Sequence, residues 1–172
     1  LAQERIWAAS RQRGAQALNL AMRWLVHGRL PHAVVEEALN ALVRRHEILR
    51  TGFRELDGKL AQIIWPDAQI KVREIDLVFM NEQEMLARAE EIAKAEANQA
   101  MDLRTGPLLR ATMLRFGAER GALLLTLHSM IPDGWSMGIL IREFQAVATA
   151  LARGDASNLP ALELQFADYA LW

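Results

Sequence analysis

The sequence predicts an α/β domain in which helices pack against a mixed β-sheet. Three observations carry that expectation. Segments with apolar residues at three-to-four spacing are interspersed with segments that alternate every second residue. Several of the alternating segments are joined by short turn sequences, so they pair as hairpins and do not form a repeated βαβ array. The phosphate-cradling patterns GxGxxG and GxxxxGK[ST] are both absent, which argues against a doubly wound nucleotide fold.

The elements follow in order. Leu1 to about Arg13 reads as a short helix with Ile6 and Trp7 on its apolar side. Asn19–His27 reads as a strand with Leu20, Met22, Trp24 and Val26 on one face, ended by Gly28. Pro31–Arg50 carries the clearest helical pattern, with Val35, Ala38, Leu39, Leu42, Val43, His46 and Leu49 at helical spacing. Pro31 suits its first turn, and Arg44, Arg45 and Arg50 suit the negative end of its dipole. Strands near Phe53–Arg54 and Ala61–Trp65 flank the hairpin turn Asp57-Gly58, and a short strand at Ile70–Ile75 follows. A helix runs from Asn81, its N-cap, to about Ala100. Leu108–Phe116 and Ala122–His128 form a hairpin across residues 117–121. An amphipathic helix spans Ser136–Ala152, stopped by Gly154.

The 172 residues suffice for one domain with a real core, and the net charge of -1 offers no clustered cation for nucleic acid or a polybasic membrane contact. The absence of cysteine excludes disulfides, thiolate metal sites and a Cys nucleophile. Its four histidines lack helical ligand spacing, so no metal site is expected. No run of 18 apolar residues and no signal-peptide pattern is present, and the expected compartment is the cytoplasm. The chain opens on Leu1 and closes on Ala170-Leu171-Trp172, which reads as a piece of a longer polypeptide.

The sharpest local feature is Leu127-His128-Ser129-Met130-Ile131-Pro132-Asp133-Gly134-Trp135-Ser136, where a buried strand ends and a helix begins. A helix N-terminus offers free N–H groups, Asp133 suits that end, and Gly134 permits a close backbone approach. Strand alternation places Leu124, Thr126 and His128 on one face, and a strand continuing to Ser129 would turn its side chain the other way. That argues against a Ser–His pair. Taken alone, His128 reads as a hydrogen-bonded core residue, Asp133 as a turn or capping residue, and Arg45 and Arg50 as solvated or structurally paired.

Four separated stretches change that reading. Leu1-Ala-Gln-Glu-Arg-Ile-Trp7 resembles an Ala-Gln-x-Arg-apolar-Trp signature. Arg45-His-Glu-Ile-Leu-Arg-Thr-Gly-Phe53 resembles Arg-His-Glu-x-Leu-Arg-Thr-x-Phe. Residues 128–136 resemble His-His-x-x-x-Asp-Gly-Trp-Ser, and Phe166-Ala-Asp-Tyr-Ala-Leu-Trp172 resembles Tyr-x-Asp-Tyr-Ala-Val-Trp. A weaker match covers Met101-Asp-Leu103 and Gly106-Pro-Leu-Leu-Arg110. In this order and spacing they are similar to the condensation domains of nonribosomal peptide synthetases, with residues 1–172 as the N-terminal subdomain and the C-terminal subdomain absent.

The resemblance implies a chloramphenicol acetyltransferase-like two-layer sandwich, a mixed β-sheet with packed helices. It implies a reaction in which an amine on one carrier protein attacks a thioester on another, forming an amide. No cofactor is bound directly; the substrates ride on phosphopantetheine arms of upstream and downstream peptidyl or acyl carrier proteins. The missing subdomain is a further partner, and a tailoring enzyme acting in trans is another. The catalytic set carried over is Ser129, at the family's active-site His position, with His128, Asp133 and Gly134. Arg45, Arg50 and Trp135 support the motif, with Asp133 expected to pair with Arg50 or Arg45.

The departure is at Ser129, because a serine hydroxyl is not a base near neutral pH unless activated. Loss of a general base costs about 10²–10⁴ in rate. Pro132 is also unusual in this motif, and it fixes the backbone before Asp133. The expectation is a degenerate condensation domain acting as scaffold or recruitment platform. The alternatives are an active enzyme working by substrate positioning, including an engineered His-to-Ser form, or another transfer chemistry or binding module on the same fold.

Overall fold

A computed structural model of the chain describes residues 2–13, 18–132 and 134–171. In chain order the elements are α1 (Ala2–Arg13), β1 (Asn19–His27), α2 (His32–Arg45), a 3-10 turn (Glu47–Arg50), β2 (Thr51–Leu56) and β3 (Lys59–Ile64). They continue with β4 (Val72–Asp76), α3 (Glu82–Asn98), β5 (Leu109–Arg115), β6 (Arg120–His128), α4 (Gly134–Arg153) and α5 (Phe166–Leu171). A four-stranded sheet has the order β1-β6-β5-β4, antiparallel except for the parallel β4–β5 pair, and β2–β3 form a separate hairpin. The sheet is therefore mixed, as expected.

Period-two alternation in β6 sends its side chains to two different cores. Leu123, Leu125 and Leu127 join Val35, Leu39 and Leu42 of α2 and Leu140, Phe144 and Val147 of α4. Trp24 of β1 closes this core against Phe144, with ring centroids 5.4 Å apart. Ala122 and Leu124 instead meet Met85, Ala89 and Ile92 of α3 on the opposite face. A third cluster, Phe53, Met101, Leu103, Leu108 and Met130, packs with Ile6 and Trp7 of α1.

Local chemistry sets several boundaries. Asp57 and Gly58, both at positive φ (49° and 74°), make the two-residue turn that joins β2 and β3. Asn81 caps α3 as expected: its side chain accepts from the Glu84 N–H at 2.9 Å, and Glu84 accepts from the Asn81 N–H at 3.3 Å. Strand β6 begins at Arg120, earlier than the sequence suggests, because Gly121 pairs with Arg115. A Cβ at residue 121 would lie 2.5 Å from the Leu114 carbonyl oxygen, so only glycine fits.

Two expectations are corrected. The helix does not run to Arg50: α2 ends at Arg45, His46 is extended, and Glu47–Arg50 form the 3-10 turn. Strand β4 begins at Val72, not Ile70, because the Ile70 backbone is taken by a helix side chain. The buried Asn40 of α2 donates to the Ile70 carbonyl at 3.0 Å and accepts from the Ile70 N–H at 2.9 Å. One turn earlier, Glu36 accepts from the Val72 N–H at 2.9 Å and His32 Nε2 bonds the Val72 carbonyl at 2.7 Å. Residues 32, 36 and 40, on one helical stripe, thus satisfy the outward backbone groups of an edge strand. The Val72 N–H, followed by Lys71, holds the Glu36 carboxyl below its ordinary pKa.

Replacement Asn40→Leu keeps the bulk but leaves two buried backbone groups unpaired. It is expected to destabilise the protein carrying this chain by about 2–3 kcal/mol, read from urea unfolding midpoints.

Candidate functional site

The segment that carries the motif leaves β6 at its last residue. His128 is fully buried. Its N–H donates to the Leu108 carbonyl at 3.1 Å, and its carbonyl accepts from the Ile131 N–H at 2.9 Å. Within the ring, Nδ1 accepts from the Met130 N–H at 3.2 Å, which places the proton of the neutral imidazole on Nε2. Nε2 has no partner among the described residues. Burial lowers the pKa of His128 to about 4. With one nitrogen committed as acceptor and the other protonated, the ring has no free lone pair for a substrate proton.

Ser129 lies beyond the strand, in a turn. Its N–H donates to the Leu18 carbonyl at 2.8 Å, and its hydroxyl donates to that same oxygen. The hydroxyl proton is thus held by the chain just ahead of β1, and no bond joins Ser129 to His128 among the described residues. The expected opposition of the two side chains rested on a strand continuing through Ser129, and β6 ends at His128. Gly134 is the first residue of α4. Asp133 lies outside the described residues, as does the side chain of Trp135.

The two arginines of the second motif go to different places. Arg45 Nε bonds both oxygens of Glu143, each at 3.2 Å, and His46 Nε2 reaches the same carboxylate. Arg50 contacts Glu47 at 3.3 Å, while its Nε is buried without a partner among the described residues. Arg45 is thus paired with Glu143 and Arg50 retains a donor, while the Asp133 expected to pair with Arg50 or Arg45 lies outside the described residues.

Three residues that sequence reasoning did not single out organise this region. Glu143 lies three residues after Leu140 and four before Val147, so a carboxylate on the buried flank of α4 was the available signal. Gln165 mends the helix break: its Nε2 donates to the Arg45 carbonyl at 3.0 Å and its Oε1 accepts from the Glu47 N–H at 3.1 Å. Only tertiary structure reveals that bridge. Gln3 of α1 donates to the Met130 carbonyl at 2.9 Å and accepts from Gln62 of β3, tying the first helix to the motif turn.

A mostly apolar cavity of about 190 Å³ lies beside the motif, lined by Ile48, Leu49, Leu127, Pro132, Met137 and Phe166 among others. Among the described residues no group of three or more His, Asp or Glu is placed to hold a metal ion, and no helix is long and apolar enough to cross a membrane.

The mixed sheet, its helical cover and the strand-end motif define a chloramphenicol acetyltransferase-like α/β domain. A family model described as the condensation domain matches residues 1–172, and the chain belongs to that family. One of the linear gramicidin synthase proteins of Brevibacillus parabrevis is 38% identical over 172 residues, 99% of this chain and 2% of that protein. Phosphinothricin tripeptide synthetase PhsC of Streptomyces viridochromogenes is 34% identical over 172 residues, 99% of this chain and 16% of that protein. Among solved structures, SgcC5 of Streptomyces globisporus superposes with a TM-score of 0.83 at 27% identity, covering 99% of this chain and 40% of that one. A complex of the X-domain and OxyB from teicoplanin biosynthesis matches with a TM-score of 0.84 at 30% identity, covering 99% and 36%. The chain therefore spans well under two thirds of each of these proteins.

Two outcomes are expected from this geometry. His128 has a folded pKa below its unfolded value, so the unfolded state takes up a proton first as pH falls below about 6.5, and stability drops until about pH 4. Urea midpoints should show a loss of about 2 kcal/mol between pH 7 and pH 5, and His128→Asn should remove that slope. Gln165→Leu should expose the Glu47 amide, seen as at least roughly tenfold faster hydrogen exchange there.

Proposed function

We propose that this chain is the N-terminal subdomain of a nonribosomal peptide synthetase condensation domain in which amide formation has been lost. In the full domain a second subdomain would complete the reaction channel. Carrier proteins would bring thioester and amine on phosphopantetheine arms from opposite sides. This copy would then serve as a scaffold or a recruitment platform for an enzyme acting in trans. Its membership in the condensation family, and its peptide synthetase relatives, support the setting. The complex of an X-domain with OxyB supports the platform role, since a domain of similar fold there holds a second protein.

One observation carries the loss of activity. Position 129 is a serine whose hydroxyl is bonded to the Leu18 carbonyl, and the neighbouring His128 is buried, neutral and without a free lone pair. Neither residue can take the proton that the attacking amine must shed. On the same reading Asp133 and Gly134 belong with Ser129 and His128 to the inherited catalytic set, and Arg45, Arg50 and Trp135 support the motif.

The test uses the complete domain with both carrier proteins loaded, following transfer by intact-protein mass spectrometry. The parent is expected to be silent, and Ser129→His to condense at least about 10²-fold faster. A parent that condenses as fast as the variant would overturn the reading in favour of an enzyme that works by substrate positioning.

A further inference from the structure

Three buried polar atoms without hydrogen-bond partners among the described residues lie on one face of the main sheet. They are Oδ1 of Asn19 in β1, Nε2 of His128 in β6 and Nε of Arg110 in β5. Strand β6 runs between the other two, and register brings the three side chains together. Asn19 is directly opposite His128, and Arg110 is opposite Thr126, which shares the His128 face. The His128 N–H turns away from β1 to the Leu108 carbonyl, so Asn19 and His128 form the closer, non-hydrogen-bonded kind of antiparallel pair. At the end of α3 a single oxygen, the Gln99 carbonyl, accepts from Asn19 Nδ2 at 2.8 Å and from Arg110 Nη2 at 2.7 Å. The amide and the guanidinium are therefore within two hydrogen-bond lengths of each other.

Each of the three side chains is pinned by its other bonds. Asn19 Nδ2 serves two carbonyls, Ala97 at 3.0 Å and Gln99, which fixes the amide and leaves Oδ1 as an acceptor. His128 Nδ1 is held by the Met130 N–H, which leaves Nε2–H as a donor. Arg110 spends Nη1 and Nη2 on the Ala100, Glu96 and Gln99 carbonyls, and its Nε, 3.5 Å from Glu96, makes no hydrogen bond. One acceptor and two donors remain, each costly to bury unpaired.

This set selects its ligand. An anion would face the Asn19 oxygen, and a metal cation would face two N–H groups. Water accepts two hydrogen bonds and donates one at such a site, and three bonds are what a buried water typically makes. A route to the site exists. A cavity of about 220 Å³ opens between α3 and the sheet, lined by Glu96, Ala21 and Thr126 among others. Ala21 and Thr126 each lie two residues from Asn19 or His128 on the same face.

We propose that Asn19, His128 and Arg110 bind one internal water, which enters from this cavity and holds His128 in the tautomer whose Nδ1 receives the Met130 N–H. The water is thereby a support of the motif turn. This inference is independent of whether the chain forms amides.

The complete domain is prepared with isotopically labelled histidine, and the His128 ring signals are identified by their loss in His128→Asn. The expected NMR result is a protonated Nε2, an unprotonated Nδ1, and direct cross-relaxation between the Nε2 proton and a bound water. A crystal structure of the same domain is expected to place one ordered water within about 3.2 Å of all three atoms. Asn19→Ala is expected to lose the water cross-peak and to speed hydrogen exchange at the Met130 amide about tenfold. A direct Asn19–His128 hydrogen bond, a ring protonated on Nδ1, or no water at the three atoms would overturn the proposal. So would unchanged Met130 exchange in a folded Asn19→Ala; should that variant fail to fold, the parent's spectra and crystal structure decide alone.

Discussion

Helix α2 meets a requirement that the sheet cannot meet by itself. Strand β4 is an edge, and the backbone groups of residues 70 and 72 that face away from β5 need partners or water. His32, Glu36 and Asn40 provide those partners from one side of α2, while Val35, Leu39 and Leu42 from the adjoining side fill the core. The helix is thereby fixed in rotation, in height and in distance from the sheet. A rotation that improved the apolar contact would forfeit the backbone bonds, so polar and apolar demands agree on one placement.

That placement determines where α2 must end. Past Arg45 a continuing helix would carry residues 47–50 away from β2, whose first residue is Thr51. The break at His46 redirects the chain, and the bonds lost in breaking the helix are returned from elsewhere. Gln165 takes the Arg45 carbonyl and the Glu47 N–H, and Glu143 gathers Arg45 and His46. Two of the sequence motifs are thus joined: the residue just before α5 stabilises the arginine-rich turn.

The motif at the end of β6 shows how burial constrains a titratable side chain. His128 is an imidazole in name, yet desolvation keeps it neutral, and the Met130 amide occupies its lone pair. Ser129 is in turn absorbed into the backbone network at Leu18.

Much of this was legible in the residues. The strand Asn19–His27, the Asp57-Gly58 turn, the Asn81 cap and the apolar stripes of α2 and α4 follow from periodicity and from conformations that few residues adopt. These are local properties, set by neighbours in sequence. The family, too, could be read from motifs in order. What the sequence could not declare were the end of α2 at Arg45, helix α5, the pairing of Arg45 with Glu143, and the roles of Gln3 and Gln165. Each depends on a partner far along the chain, about a hundred residues away for Arg45 and Glu143. Propensity and spacing describe what a segment favours in isolation; which buried polar group finds which distant partner is decided only when the sheet and its helices are assembled.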